Sequence, residues 1–338
     1  MTINLYLDNG YLDMRSIMET DLPFIFVPAA RGIGKTYTTL KTVTENKEEI
    51  ILLRRTQKEC DLQNDKRGTG SSFAKVFDDM GIKYHVNKSG EIGYVYNDTD
   101  EYTAATNLAL STFATVRGAF DFKHIRKCVY DEFIAEPHVR KIKNEGQALA
   151  NLYESCNRNR ELQNQEPLQL ICLANSVNIA NDVFLYFDLV SAFEDMISKQ
   201  EEIRIIGNKL LILPMHSPIS EMKSKTALYQ AVNSEFSDMA IKNKFILNDF
   251  SYVKKRNLKE YICLFQLGSL FMYKHKSRTE FYCTFTRGET KEKYDANYSG
   301  MEKLGRKKFR FIAHYFDGLI RFENYNAVAL FEKYFKLS

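Results

Sequence analysis

One short segment of the chain has the residue types and the order that bind a nucleoside triphosphate. Its residues are Ala29, Ala30, Arg31, Gly32, Ile33, Gly34, Lys35 and Thr36. In loops of this kind, successive backbone N–H groups surround the β-phosphate, and the following helix adds the positive end of its dipole. Lys35 then contacts the β- and γ-phosphates, and Thr36 holds Mg²⁺. The segment therefore predicts a phosphate-binding loop with ATP and Mg²⁺ as its ligands.

The residues around this loop favour the same interpretation. An apolar run at residues 23–27 predicts a buried strand before the loop, and a helical pattern follows it. Such loops usually begin with Gly, whereas Ala29 stands at the first position here; its methyl group is tolerated if φ is negative. Gly32 and Gly34 remain at the positions where the backbone approaches phosphate most closely. The alternative is a chance Gly-Lys-Thr turn between a strand and a helix.

Two adjacent carboxylates follow a second apolar strand. Residues 128–130 are Cys-Val-Tyr, and Asp131 and Glu132 come directly after them. Because side chains alternate along a strand, these two diverge, so one can reach the Mg²⁺ shell while the other addresses an attacking water. We expect Asp131 to coordinate Mg²⁺ and Glu132 to act as the general base of a hydrolase, in a Walker B arrangement. An acidic turn after a buried strand is the alternative.

Two further apolar runs also end in polar residues. Residues 50–55 end in two arginines, and residues 168–176 end in Asn175 and Ser176. Strands that alternate with helical stretches predict a mainly parallel sheet covered on both faces, with ligands outside the carboxyl ends of the strands. Since every polar motif lies at such an end, we predict one active site on an α/β domain.

The remaining patterns predict a helical linker and a second, smaller α/β domain, since 338 residues suit two domains. We expect a P-loop ATPase domain at residues 1–213, a helical linker or lid at 214–246 and a basic C-terminal domain at 247–338. The patterns predict a helix at 181–199, a strand pair at 203–213, strands at 260–273 and 280–287, and a closing helix at 327–335.

Composition predicts a soluble globular protein, with 44% hydrophobic and 27% charged residues. No apolar run approaches the ~20 residues of a membrane span, and residues 1–21 have no apolar core of a signal peptide, so we predict a cytoplasmic location. The six cysteines lack Cys-x-x-Cys spacing and are predicted to be reduced core residues. Neither the cysteines nor the histidines have metal-ligand spacing, so no metal besides the Mg²⁺ of the nucleotide is predicted.

The basic charge is concentrated at the C-terminal end. Residues 246–338 contain 18 Lys and Arg against 10 Asp and Glu, a net of +8, while the whole chain has +4. Clusters at residues 254–256 and 306–310 suit a polyanion, although solvated surfaces commonly have the same composition. Charge alone does not identify the partner.

The motifs together resemble one family, the DNA-packaging ATPases of phi29-like tailed phages. The matching segments occur in the same order along the chain, at residues 30–36, 53–55, 130–134, 157–161, 171–176 and 184–189, with a weaker match at 318–324. The resemblance implies a terminase-like P-loop NTPase of the ASCE type. It also implies a ring of identical subunits, a pentamer, that drives double-stranded DNA into a procapsid through the portal of the viral particle, in the cytoplasm of the infected bacterial host.

The resemblance also implies roles for several arginines. Arg31 matches the arginine inside the phosphate loop, and Arg158 matches a trans-acting finger that enters the neighbouring subunit's site to neutralise transition-state charge. Arg160 is a possible substitute for Arg158, but either arginine is also compatible with capping a helix or lying in solvent. Arg54 and Arg55 match a pair whose charges contact phosphates of nucleotide or DNA; ion pairs with nearby acids are an equal alternative.

Three further assignments rest on position. Asn175 matches a sensor of the γ-phosphate, or is a simple strand-end cap. Arg117 matches a basic residue before the acidic strand that couples neighbouring sites or contacts DNA. Residues in pore-facing loops would grip the DNA backbone without reading bases; the candidates are Lys58, Lys66 and Arg67.

The C-terminal domain resembles a vestigial nuclease. In large terminases this domain is an RNase H-like nuclease with metal-binding carboxylates, the first on its opening strand. The predicted strand at residues 260–273 has no interior Asp or Glu to hold two metals ~4 Å apart. We therefore expect no nuclease activity, and binding of DNA or of a structural RNA between portal and ATPase.

Three other functions are compatible with a phosphate loop. A nucleotide or small-molecule kinase is disfavoured because Glu132 suits activation of water and no arginine-rich lid is evident. A nuclease-competent terminase would cleave DNA with Mn²⁺. A nucleotide-gated assembly protein would bind ATP without turnover.

Overall fold

The computed structural model describes residues 3–65, 67–118, 122–135, 142–175, 179–223, 225–227, 231 and 253–337. The chain forms two compact units. The first comprises Met1–Val177 and Met196–Phe245, and the second comprises Asn178–Asp195 and Ile246–Ser338. The predicted domains were contiguous in sequence, whereas residues 178–195 group with the second unit. Most of the predicted linker lies outside the described residues.

The first unit is built on one nine-stranded sheet. Its strands are β1 Phe24–Ala29, β2 Ile50–Arg54, β3 Tyr84–Ser89, β4 Ile92–Asn97, β5 Tyr102–Ala109, β6 Lys127–Asp131, β7 Gln169–Asn175, β8 Ile203–Ile206 and β9 Lys209–Ile212. The order across the sheet is β3-β4-β5-β2-β6-β7-β1-β9-β8. Six neighbouring strands are parallel to one another: β5, β2, β6, β7, β1 and β9. Strand β4 runs antiparallel to β5, and β8 runs antiparallel to β9. The predicted mainly parallel sheet is confirmed.

The central strands could be recognised from sequence because each is a run of apolar residues with polar residues only at its ends. Every residue of β2 is buried, and so is every residue of β7 except the last. Strands in parallel sheets are covered on both faces and therefore lack apolar–polar alternation. In contrast, β3 is mostly exposed and polar. For that reason the antiparallel extension formed by β3 and β4 was not predicted.

Nine helices precede residue 224 in the described part of the chain. They are α1 Met14–Met18, α2 Lys35–Glu45, α3 Gln57–Gln63, α4 Ala74–Met80, α5 Phe113–Val116, α6 Glu145–Asn157, α7 Asp182–Tyr186, α8 Val190–Lys199 and α9 Pro218–Lys223. Buried side chains of α1, α2 and α4 pack with those of the strands in one apolar cluster. This packing holds the phosphate loop, which lies between β1 and α2, against the sheet.

The helix predicted at residues 181–199 is two helices, α7 and α8. Asn181 caps α7 by accepting a hydrogen bond from the Phe184 N–H. Asp188, which follows α7, has a φ of 56°. A left-handed residue ends a helix because the next N–H turns away from the helical hydrogen-bond pattern.

The second unit has a five-stranded sheet in the order β13-β10-β11-β12-β14. Its elements are β10 Tyr261–Leu267, β11 Leu270–His275, β12 Phe281–Thr284, β13 Lys293–Tyr294, α10 Tyr298–Leu304, α11 Arg306–Phe316, β14 Ile320–Phe322 and α12 Tyr325–Phe335. The strand predicted at residues 260–273 is the hairpin β10–β11, which turns at Gly268 with a φ of 56°. The closing helix is confirmed, and it begins two residues earlier because Asn324 caps it.

The structure also bears on the cysteines, on membrane-spanning helices and on clusters of possible metal ligands. Five of the six cysteines are buried, and Cys263 is partly buried. Within the ranges described, no helix is long and apolar enough to cross a membrane. The same ranges contain no group of three or more His, Cys, Asp or Glu side chains arranged to hold a metal ion.

Candidate functional site

The phosphate loop begins where β1 ends. Ala29 is the last residue of β1 and does not have a positive φ, as expected for alanine at this position. Gly32 and Gly34 have φ values of 70° and 88°, which side chains other than glycine rarely adopt. Gly34 is also the N-cap of α2, so the loop leads directly into a helix N-terminus.

Lys35 is the first residue of α2 and is buried. Its ammonium donates hydrogen bonds to the carbonyl oxygens of Ala29 at 3.0 Å and Ala30 at 2.7 Å, and lies 3.4 Å from Asn175 Oδ1. Burial lowers the pKa of Lys35 to about 8, although the carboxylate of Asp131 opposes this shift. An anionic phosphate beside the ammonium would favour its charged form.

Thr36 and Asp131 bring the loop and the acidic strand together. The Thr36 hydroxyl donates to Asp131 Oδ1 over 3.0 Å. Mg²⁺ prefers hard oxygen ligands and commonly takes one or two from protein while keeping several waters. The hydroxyl and carboxylate are therefore a donor set that fits Mg²⁺.

Arg54, at the end of β2, lies between the two predicted Walker B carboxylates. Its guanidinium is 3.1 Å from Asp131 Oδ2 and 3.2 Å from Glu132 Oε2. It also donates to the Ser72 hydroxyl over 2.9 Å. Of the two uses left open for Arg54, the structure has the ion pair with nearby acids. Ser72 was not predicted, since it lies on no strand end.

Asp131 and Glu132 diverge, as predicted, but not by strand alternation, because β6 ends at Asp131. The Asp131 side chain is 6% exposed and the Glu132 side chain 61% exposed. Glu132 has a φ of 57°, and its N–H donates to Asp131 Oδ1 over 3.1 Å. The left-handed backbone turns Glu132 out of the strand direction, so its carboxylate faces solvent at the edge of the sheet.

The strand register explains why these side chains meet. Ala29 pairs with Asn175 between β1 and β7, and Asp131 pairs with Leu173 between β6 and β7. Parallel neighbours end at the same edge of a sheet. The residues of this site edge are therefore Lys35, Thr36, Arg54, Asp131, Glu132 and Asn175.

Arg55 has a different environment from Arg54. Its guanidinium, 2% exposed, donates two hydrogen bonds to Glu145, at 2.8 and 3.0 Å. The Tyr130 hydroxyl donates to the same carboxylate over 2.5 Å. Burial and the Glu145 charge raise the pKa of Tyr130 well above its usual value. Arg55 therefore does not contact phosphate but belongs to a buried charge network beneath the sheet edge.

Arg158 and Arg160 also differ. Arg158 is the C-cap of α6 with a φ of 47°, and its side chain is half-buried. Arg160 is buried and donates to the backbone carbonyls of Phe122, Lys123 and Ile125. Because these bonds hold its guanidinium inside the protein, Arg160 cannot substitute for Arg158 as a finger, contrary to expectation.

Of the other predicted basic residues, those that the structure describes are exposed. Lys58 is exposed on α3, and Arg117 is exposed at the end of α5. Arg67 is exposed and forms an ion pair with Asp65 at 2.8 Å. Lys66 lies outside the described residues. These positions carry charge on the surface, but no contact joins them to the phosphate loop.

Sequence reasoning missed one lysine at the loop. Lys223, the last residue of α9, donates to the Arg31 carbonyl oxygen over 2.7 Å. The two residues are 192 positions apart. No motif spacing connects them, because only the return of the chain after β9 brings α9 to β1.

The fold and the site define an α/β protein with a candidate nucleotide site at the carboxyl edge of a mostly parallel sheet. Residues 7–273 match the family described as Podovirus DNA encapsidation protein (Gp16). Since this match spans well over half of the chain, the protein belongs to that family.

Individual relatives agree with this assignment. The chain is 25% identical over 257 residues to the DNA packaging protein of Bacillus phage PZA, covering 73% of this chain and 69% of that protein. The same figures hold for the DNA packaging protein of Bacillus phage phi29.

Two solved structures share the fold. The phi-28 gp11 DNA packaging motor has a TM-score of 0.67 at 18% identity, covering 98% of this chain and 99% of that chain. The bacteriophage phi-29 viral genome packaging motor assembly has a TM-score of 0.61 at 20% identity, covering 98% and 100%. The predicted resemblance to phi29-like packaging proteins is confirmed.

Proposed function

We propose that the protein is an ASCE-type P-loop ATPase that works as a ring of identical subunits and drives double-stranded viral DNA into a procapsid. The observation that carries the proposal is the 3.0 Å contact between Thr36 and Asp131, with Lys35 beside them. This contact joins the glycine loop to the acidic strand, as ATP hydrolysis requires. Strand β7 lies between β1 and β6, which supports the additional-strand arrangement of the ASCE class.

Each residue of the loop has a distinct task in this proposal. The backbone N–H groups of residues 30–34 bind the phosphates, and Lys35 compensates their charge. Thr36 and Asp131 would hold Mg²⁺, and the ion would supply positive charge to the bound phosphates. Arg31, in the loop itself, adds a further positive charge near the phosphates.

Glu132 is the proposed general base. Its exposed carboxylate can polarise a water next to the γ-phosphate. The ion pair with Arg54 partly neutralises Glu132 and fixes its direction. Activation of water therefore requires that the Arg54 contact be loosened when the subunit hydrolyses ATP.

Arg158 and Asn175 complete the proposed site. Asn175 lies within 3.4 Å of the Lys35 ammonium and would detect loss of the γ-phosphate. Arg158 follows α6 in a left-handed turn and would enter the neighbouring subunit's site, where an arginine neutralises transition-state charge. The pentameric ring and its attachment at the portal are part of this proposal, which the relatives' description as packaging motors supports.

The second unit is the proposed vestigial, RNase H-like domain. Its opening strand β10 has no acidic residue. The Glu323 carboxylate accepts hydrogen bonds from the Thr284 hydroxyl and the Phe285 N–H, so it has a structural use. Residues 246–338 have a net charge of +8, and residues 178–195 add four acidic residues and no basic one, so the unit has a net charge of +4. Its basic part would bind DNA or a structural RNA, and the unit would not cleave DNA. The protein would act in the cytoplasm of the host, at the procapsid.

Steady-state ATP hydrolysis tests the proposal. The full chain should hydrolyse ATP faster with duplex DNA, and the rate should rise more than proportionally with protein concentration because a finger in trans requires assembly. Glu132→Gln should lower the rate roughly 100-fold or more while ATP still binds. Glu154→Gln, an exposed carboxylate on α6, is the matched control and should leave the rate unchanged.

Three other outcomes would contradict the proposal. ATP binding without turnover would identify a nucleotide-gated assembly protein. A rate per subunit that ignores both DNA and concentration would identify a self-contained nucleotidase or kinase. Near-normal turnover by Glu132→Gln would remove Glu132 from the role of base.

A further inference from the structure

Lys223 lies directly over the phosphate loop. Its ammonium donates to the Arg31 carbonyl oxygen over 2.7 Å. A Cβ atom added to Gly32 would lie 1.9 Å from Lys223 Nζ and 2.9 Å from Lys223 Cε. The lysine thus fills the space that a side chain at Gly32 would occupy, at the point where the loop backbone is meant to approach phosphate.

Packing holds α9 in this place. Ser217 and Ser220 are buried, and a Cβ added to Gly10 would meet Pro218 and Ile219 at 3.0 and 3.2 Å. Upstream of the helix, the N–H of Met215 donates to Glu202 Oε1 over 2.6 Å. One face of α9 is therefore packed against the rest of the first unit. This packing places Lys223, the last residue of α9, at the loop.

Two ammonium groups lie at the loop, and both donate hydrogen bonds to backbone carbonyl oxygens. Lys35 and Lys223 approach the loop from opposite ends of the first unit's sequence, and each raises the cost of charging the other. Burial also lowers the pKa of Lys223. The hydrogen-bond acceptor that Lys223 uses is a neutral carbonyl, whereas an ionised acceptor would also offset the charge of the ammonium. A polyphosphate over Gly32 would provide that acceptor.

We propose that Lys223 is a further phosphate-binding residue of the nucleotide site, supplied by α9 and contacting the phosphate chain where it passes over Gly32. The inference rests on the proposed function, since it needs a nucleotide in the loop. Binding replaces the Lys223 contact to the Arg31 carbonyl with a contact to phosphate oxygen. The position of α9 is thereby coupled to the presence of nucleotide.

Equilibrium binding of a non-hydrolysable ATP analogue, AMP-PNP, and of inorganic tripolyphosphate to the full chain tests the proposal. Lys223→Met should weaken both by about tenfold, the effect of one lost charge-assisted hydrogen bond. Lys223→Arg keeps the charge and should stay within about threefold of the wild type. Lys225→Met removes an exposed lysine two residues further on and should change neither affinity.

Acetylation of lysines in the wild-type protein, measured by mass spectrometry, gives a second readout that needs no variant. AMP-PNP should protect Lys223 from acetylation and leave Lys225 as reactive as before. A lysine that only anchors α9 to the Arg31 carbonyl would react equally with and without ligand, and that result would overturn the proposal.

Failure of this inference differs from failure of the proposed function. If wild-type protein binds no AMP-PNP, or if Lys35→Ala binds it as well as wild type does, the nucleotide site itself is wrong. If Lys35→Ala abolishes binding while Lys223→Met behaves like Lys225→Met, the nucleotide site stands and Lys223 is not part of it.

Discussion

Two regions of the first unit contain its buried charge and use that charge differently. Among the described residues of this unit, the buried Asp, Glu, Lys and Arg residues are Lys35, Arg54, Asp131, Arg55, Glu145 and Arg160. The first three belong to the site edge. Arg55 and Glu145 lie in the packing beneath it, and Arg160 contacts the backbone that leads into β6, at the opposite end of that strand from Asp131.

In the buried network, the charge of Arg55 is balanced within the protein. Arg55 and Glu145 form a two-bond pair, and Tyr130 donates to the same carboxylate. Arg160 has three backbone carbonyls. At the site edge, by contrast, Lys35 has neutral oxygens as its hydrogen-bond acceptors, and its pKa is lowered to about 8. Arg160 also has neutral carbonyl acceptors, so neither burial nor the lack of an ionic partner marks a functional charge by itself. Lys35 is distinguished by its position beside the glycine loop and the Thr36–Asp131 contact.

Neighbouring residues can belong to opposite regions. Arg54 and Arg55 are adjacent, yet one reaches Asp131 and the other Glu145. Side chains of successive residues leave a strand on opposite faces. The same substitution at Arg54 and at Arg55 would therefore test the site edge and the buried network separately.

The largest expected effect concerns Arg158 and would sharpen the contrast with buried Arg160. Arg158→Ala should lower ATP turnover roughly 1,000-fold, since an arginine finger contributes at least that much to phosphoryl transfer. Steady-state hydrolysis measures this, with Lys143→Ala, an exposed residue before α6, as the control.

Mixing subunits gives the decisive test of a trans role for Arg158. Arg158→Ala subunits keep an intact pocket, and Glu132→Gln subunits keep an intact arginine. Each should be inactive alone, and a mixture should regain activity. A mixture as inactive as its components would show that Arg158 does not act across subunits.

The next effect concerns the buried network. Glu145→Ala leaves Arg55 charged and unpaired in the interior, and should lower the free energy of unfolding by about 3 kcal/mol. Urea unfolding followed by circular dichroism measures the change. Glu154→Ala, exposed on the same helix, should change it by less than about 0.5 kcal/mol.

A double substitution sharpens this prediction. Arg55→Met combined with Glu145→Met removes both charges and should recover most of the lost stability, because no uncompensated charge is left buried. If Glu145→Ala alone lowers the free energy of unfolding by less than about 1 kcal/mol, pairing of Glu145 with Arg55 does not stabilise the protein as proposed.

The smallest effect is a pH dependence confined to the site edge. The Lys35 pKa is lowered to about 8 in the free protein, and bound phosphate favours the protonated form. AMP-PNP affinity should therefore be constant below pH 8 and fall above it, by at most about tenfold per pH unit. Isothermal titration calorimetry at pH 7, 8 and 9 measures the change.

Proton uptake gives the corresponding control. At pH 8, binding should take up protons, so the apparent enthalpy should depend on the ionisation enthalpy of the buffer. Equal affinities at pH 7 and 9 would contradict the shifted pKa. Tyr130 in the buried network should not change its protonation between pH 7 and 9, because burial raises its pKa far above this range.

The sequence predicted most of the elements that position the site. The strands β1, β2, β6 and β7 were recognised because each is an apolar run that ends in polar residues. Errors occurred where the local pattern was weak. A long helix was expected across Asp188, and one long strand across Gly268, because single left-handed residues leave little trace in an apolar periodicity.

By itself the sequence determined the family and predicted the phosphate loop and the divergence of Asp131 and Glu132, since these depend on residues close together in the chain or on ordered motifs. Only the tertiary structure decided between alternative partners. It paired Arg54 with Asp131 and Glu132, buried Arg55 and Arg160, and brought Lys223 to Gly32. The physical reason is that strand order and register determine which charged side chains meet. They bring together residues that are far apart in sequence, and no local spacing specifies them.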